Sequence, residues 1–142
     1  RTIAEKVDIG IALWSHPDSG YLMSPQLCNR LADIENVVAI KDSSRDIYGC
    51  GEMLRQCPGL TVFVGLEDMA LAAIAIGAQG IVAMLPQVVG RMAVKLYESA
   101  ANGDLAEARR LHFNMVRAYD ILKVGGVLIT ASPGSKSRLR GK

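Results

Sequence analysis

Four short apolar runs, each followed by a helix-like segment, limit what this chain can fold into more than any other feature. They span residues 9–14, 37–40, 60–64 and 80–85. Short, apolar and rich in β-branched residues, they read as strands buried on both faces rather than as helices. Residues 24–34, 46–57 and 68–76 carry the helical signals between them. Ser24-Pro25 suits an N-cap followed by proline in the first turn, and Leu27, Leu31 and Ile34 then recur at helical spacing. In the second helix Ile47, Met53 and Leu54 are the inward candidates, and Pro58-Gly59 stops it. Strands alternating with helices over short connections imply a parallel sheet with right-handed crossovers. Four such units make half of an eight-stranded barrel. A small doubly wound sheet is the other arrangement, but no G-x-G-x-x-G or phosphate loop follows any run. The expected fold class is α/β, half of a TIM (β/α)8 barrel followed by further helices.

Those further helices are expected at 88–101 and 105–123, separated by Asn102-Gly103. Leu111, Met115, Ala118 and Leu122 share one face of the second, and Asp104 with Glu107 has the spacing of a capping box. Residues 2–7 also have helical character. The chain then divides into a half-barrel over 1–86, helices over 87–124, and an unplaced tail over 125–142. Within that tail 127–130 is a possible strand and 132–142 reads as disordered.

Composition narrows the function. Half of the 142 residues are hydrophobic and the net charge is +2. That suffices for one domain with a core and offers no electrostatic case for a nucleic acid partner. No apolar run reaches the roughly 20 residues of a membrane span, and no signal peptide opens the chain. Cys28, Cys50 and Cys57 are odd in number and lack metal-ligand spacing, so reduced core thiols in a cytoplasmic protein are expected. His16 and His112 form no cluster with them, and neither metal nor organic cofactor is expected. Arg1 opens the chain in what reads as mid-element, as in a piece of a longer protein.

One lysine stands out. Residues 37–40 deliver Lys41 from a buried strand into Asp42-Ser43-Ser44. Strand C-termini in parallel α/β folds share one face, where reactive groups collect. Trp14-Ser15-His16, Lys41-Asp42-Ser43, Gly65-Leu66-Glu67 and Val82-Ala83-Met84 should therefore converge. A central lysine among apolar walls loses ammonium stability, and its neutral amine attacks a ketone to form an imine. That imine is an electron sink, so an adjacent carbon–carbon bond can form or break.

At this point the residues resemble a known family. Val38-Ala39-Ile40-Lys41-Asp42-Ser43-Ser44 is similar to the lysine motif of the dihydrodipicolinate synthase / N-acetylneuraminate lyase family. Val64-Gly65-Leu66-Glu67-Asp68, Gly77-Ala78-Gln79-Gly80-Ile81-Val82 and Gly103-Asp104-Leu105-Ala106-Glu107-Ala108-Arg109 resemble three later segments, in the same order and spacing. The likeness covers roughly residues 4–122 and implies the C-terminal half of the barrel of a class I pyruvate aldolase. By that resemblance Lys41 is the imine-forming lysine, Gly65 and Val82 line the pyruvate pocket, and Ser43 and Glu67 face the second substrate. The implied substrates are pyruvate and an aldehyde. The full-length protein is expected to be a homo-oligomer, dimeric or tetrameric. The default member is 4-hydroxy-tetrahydrodipicolinate synthase, a lyase of lysine biosynthesis. Alternatives are a lyase of 2-keto-3-deoxy sugar acids or N-acetylneuraminate, a hydratase-aldolase, or a non-catalytic half-barrel acting as an interaction module.

Three departures accompany the likeness. Where the family has a tyrosine-asparagine-x-proline turn, this chain has Leu13-Trp14-Ser15-His16-Pro17. Trp14 or Leu13 takes the tyrosine position, depending on whether Pro17 or Gly20 anchors the alignment. Neither shuttles a proton as a phenol does, leaving Ser15 and His16 as candidates in that turn. Ala83 replaces a serine and Gln87-Val88-Val89-Gly90 an asparagine-x-x-proline. The paired-threonine motif that holds the pyruvate carboxylate precedes everything in this sequence.

Overall fold

The fold is taken from a computed structural model, which describes residues 2–124. The possible strand at 127–130 and the tail at 132–142 lie outside them. Strands β1 (Ile11–Ser15), β2 (Val37–Asp42), β3 (Thr61–Val64) and β4 (Gly80–Ile81) form one sheet in the order β1-β2-β3-β4. Every neighbouring pair is parallel. Helices α1 (Pro25–Leu31), α2 (Ile47–Gln56) and α3 (Ala70–Ala75) make the crossovers, and α4 (Pro86–Ala101) and α5 (Leu105–Val124) follow β4. This is the expected α/β half-barrel, with β1 and β4 as its two edges.

Local chemistry accounts for the boundaries. Ser24 caps α1, its hydroxyl accepting the Leu27 N–H at 3.2 Å. The helix ends at Leu31, short of Ile34, because Ile34 turns back onto the Leu31 carbonyl and prepares the entry to β2. Residues 2–7 supply one 3-10 turn, Ala4–Lys6, and no α-helix. Ile9 lies outside β1 and is exposed. Ile47 is 41% exposed in the first turn of α2, whereas Met53 is buried and Leu54 packs against the core. Asp104 Oδ1 accepts the Glu107 N–H at 3.1 Å, but Glu107 spends its carboxylate on Arg110, so only half of the capping box forms.

The main departure is β4. Its ladder covers Gly80 and Ile81, with one more bond from the Val82 N–H to the Val64 carbonyl at 2.9 Å. Beyond that, β3 has ended and offers no further partner. The Leu85 N–H instead reaches the Glu67 carboxylate, and Pro86 starts α4 two residues earlier than expected. Residues 83–85 therefore turn rather than extend.

The core lies on one side of the sheet. Ile40, Val62 and Val64 are buried there with Cys28, Cys50 and Cys57, and the packing continues through Leu96, Leu111 and Met115 of α4 and α5. Ala118 and Leu122 extend that face of α5. One core thus joins the strands to the C-terminal helices. The opposite face, which lines the lumen of a barrel, is left open by four strands.

Candidate functional site

Register places the lumen residues in two rows. Trp14 lies opposite Lys41, Lys41 opposite Phe63, and Phe63 opposite Gly80. Laterally paired residues of a parallel sheet project to the same face, and neighbours along each strand alternate. Trp14, Lys41, Phe63 and Gly80 therefore share the lumen. Ser15, Asp42, Val64 and Ile81, one position on, face the helices. Two positions on, His16, Ser43, Gly65 and Val82 return to the lumen at the C-terminal mouth.

Contacts within these rows are close. The Lys41 Nζ sits 5.3 Å from the centre of the Trp14 ring, within cation–π range. The Trp14 Nε1–H donates to Ser43 Oγ at 3.4 Å. Trp14 and His16 rings meet at 5.2 Å. Gly65 fits only because it has no side chain: a Cβ there would overlap Ser43 Oγ and lie 2.9 Å from Lys41 Cε. Gly80 likewise admits Phe63, whose Cδ1 would stand 2.9 Å from an added Cβ. Glycines at adjoining strands thus leave room for Ser43 Oγ beside Lys41 and for the Phe63 ring.

Of the residues singled out by sequence, Trp14, His16, Lys41, Ser43, Gly65 and Val82 are brought to the lumen. Val82 is 45% exposed there and continues the wall past Gly80. Ser15 goes the other way, buried, with its Oγ accepting the Met23 N–H at 3.1 Å. His16 Nδ1 accepts the Asp18 N–H at 3.0 Å, which leaves Nε2 to carry the proton of the neutral ring. Glu67 is 1% exposed, and its Oε1 accepts the Leu85 N–H at 2.6 Å, tying the turn after β3 to the start of α4. Phe63 and Gly80 escaped the sequence reading. Alternation in Thr61-Val62-Phe63-Val64, once set beside Lys41, would have placed Phe63 in the lumen.

The helix-facing row has different chemistry. Asp42 is buried and accepts the Ser44 N–H and hydroxyl at 3.0 Å each. Burial raises its pKa, and those two bonds offset part of the rise. Burial pushes the Cys28 and Cys50 thiols up to about 11, helped for Cys28 by Cys57 and for both by Asp42. Free thiols held protonated in this way are poor nucleophiles. Among the described residues no group of three His, Cys, Asp or Glu could hold a metal, and no helix is long and apolar enough to cross a membrane. A groove of about 470 Å³ runs along the β4 edge against α4, between Ile81, Pro86, Ala93 and Tyr97. Lys41 is not among its lining residues.

A parallel half-barrel with a lysine at the C-terminal end of a strand is the class that this fold and site define. Solved structures share the fold. Dihydrodipicolinate synthase from Bacillus anthracis superposes with a TM-score of 0.81 at 31% identity, over 92% of this chain and 44% of its own. The Aquifex aeolicus enzyme gives 0.81 at 27%, over 87% and 43%. The chain belongs to the dihydrodipicolinate synthetase family, whose model matches residues 1–133. Among curated relatives, 4-hydroxy-tetrahydrodipicolinate synthase of Thermomicrobium roseum is 34% identical over 82% of this chain and 40% of its own length. That of Pelobacter propionicus is 31% identical over 82% and 41%. The chain spans less than half the length of these relatives.

Proposed function

We propose that the protein containing this chain is a lyase that forms or cleaves a carbon–carbon bond next to pyruvate through an imine on Lys41. The observation that carries this is the packing at the mouth: Lys41 with its Nζ 5.3 Å from the centre of the Trp14 ring and its Cε against Gly65. The amine attacks the pyruvate carbonyl, loss of water gives the imine, and a methyl proton leaves to give the enamine. The enamine carbon then attacks an aldehyde, or is released by the reverse reaction. Gly65 and Val82 line the pyruvate pocket through backbone and shape, and Ser43 faces the aldehyde. Glu67 supports that end by holding Leu85. No cofactor enters the scheme.

The relatives named 4-hydroxy-tetrahydrodipicolinate synthase make that condensation the first activity to assay. Trp14 at the lumen favours a second reading, cleavage of 2-keto-3-deoxy sugar acids or a hydratase-aldolase reaction. Three buried free thiols suit a reducing compartment, and the protein is proposed to be cytoplasmic. For the full-length protein a homo-oligomer, dimeric or tetrameric, belongs to the same reading.

Pyruvate with borohydride tests the chemistry. The reduced pyruvyl mass should appear on the peptide carrying Lys41 and be absent in Lys41→Ala. Label elsewhere, or nowhere, refutes the mechanism.

A further inference from the structure

Imine formation moves protons, and the end of β1 places the Trp14 indole beside Lys41. An indole N–H donates and accepts nothing, so Trp14 carries no proton itself. It does, however, orient a group that can. Its N–H occupies one lone pair of Ser43 Oγ at 3.4 Å. The hydroxyl keeps one proton to give and one lone pair with which to receive. Ser43 is 1% exposed, and its own N–H is fixed to the Ser15 carbonyl at 2.9 Å, so the side chain has a set origin. The position that a Gly65 Cβ would take is filled by Ser43 Oγ, and Lys41 Cε lies 2.9 Å from it. The hydroxyl and the end of the lysine side chain thus sit side by side over the Gly65 backbone.

We propose that Ser43, oriented by Trp14, carries a proton from the Lys41 nitrogen to the former carbonyl oxygen as the carbinolamine forms. This rests on the imine chemistry proposed above. When the neutral amine adds to pyruvate, nitrogen gains a positive charge and the carbonyl oxygen a negative one. Ser43 gives its hydroxyl proton to that oxygen and takes one from nitrogen. The C–N bond forms, the C=O π bond becomes an O–H bond, and Ser43 ends as it began. No external acid, base or oxidant is consumed. Ser43 touches the reacting atoms, whereas Trp14 is a positioning residue.

The test is the rate at which pyruvate gives the borohydride-trapped Lys41 adduct, with melting curves recorded for every variant. Ser43→Ala should slow trapping by about 100-fold, the lower range for a positioned proton donor. Ser43→Thr, which keeps the hydroxyl, should restore most of it. Trp14→Phe keeps a ring over Lys41 but loses the N–H, and should slow trapping by about 5-fold. In the Ser43→Ala background the same change should do nothing further, because the group it orients is gone. Slower trapping in deuterated water should be lost with Ser43. An adduct that forms at one rate in all variants overturns the relay and leaves the imine chemistry standing. Independent, multiplying losses at Trp14 and Ser43 overturn it too. No adduct on Lys41 in the unsubstituted protein removes both.

Discussion

Gly65→Ala is the most informative single change at this site, because its consequence is set by distances. The new Cβ would overlap Ser43 Oγ and stand 2.9 Å from Lys41 Cε and 3.1 Å from the Asp42 carbonyl oxygen. Carbon atoms rest 3.5–4.0 Å apart, so Lys41 Cε must retreat by about 0.6–1.1 Å. Displacement of about 1 Å from a reactive geometry slows reaction by roughly 100-fold. Forcing a methyl into a packed site also destabilises by about 1–3 kcal/mol, or roughly 4 °C of melting temperature per kcal/mol at this size. Both effects are read on one sample, by a melting curve and by the rate of borohydride trapping with pyruvate. The two separate in a Ser43→Ala background. Removing Oγ relieves the overlap there, so the stability loss from Gly65→Ala should shrink, while the contact with Lys41 Cε remains. A Gly65→Ala protein that melts and traps like the unsubstituted one would refute this close packing around Gly65.

Glu67 gives a second prediction. Glu67→Ala leaves the buried Leu85 N–H without its acceptor and should destabilise by about 1–3 kcal/mol, while Glu67→Gln, which keeps an acceptor oxygen, should lose far less. Equal losses in chemical denaturation would contradict the assigned bond. The third concerns His112 on α5, whose Nδ1 is buried without a hydrogen-bond partner. Burial lowers its pKa below the usual 6.5, with Asp68 acting weakly the other way. The folded state therefore binds its proton less tightly than the unfolded state, and stability should fall as pH drops through 6.5 toward the folded value. His112→Leu should flatten that dependence between pH 7 and pH 5. An unchanged slope would remove His112 as its source.

Much of this fold was legible because local signals agreed with one another. β2 and β3 are short β-branched runs between turn formers, and Ser24-Pro25 and Asp104 cap the helices they were expected to cap. Failures came where a competing partner decided. Residues 83–85 have strand-like side chains, but β3 stops at Val64 and Glu67 captures Leu85, so they turn. Glu107 had a capping partner in sequence and an Arg110 one turn away that held it better. The candidate site followed the same rule. Lys41 is visible from its strand, and Trp14, Ser43, Gly65 and Val82 from spacing. Ser15 was grouped with Trp14 and His16 because a turn was assumed where the strand continues. Phe63 needed the pairing register, which no single run reveals.

Pleating sends Lys41 of β2, and Ser43 just beyond it, to the lumen and Ile40 and Asp42 to the helices. Folding and chemistry therefore draw on alternate letters of the same word. Ile40 answers to Cys28 and Cys50, and its replacement is judged by packing. Trp14 and Val82 are half-exposed on the lumen side, and their replacement removes no buried packing. At such positions the lumen wall can change while the helix-facing interior stays as it is, which does not hold for the tightly packed Gly65.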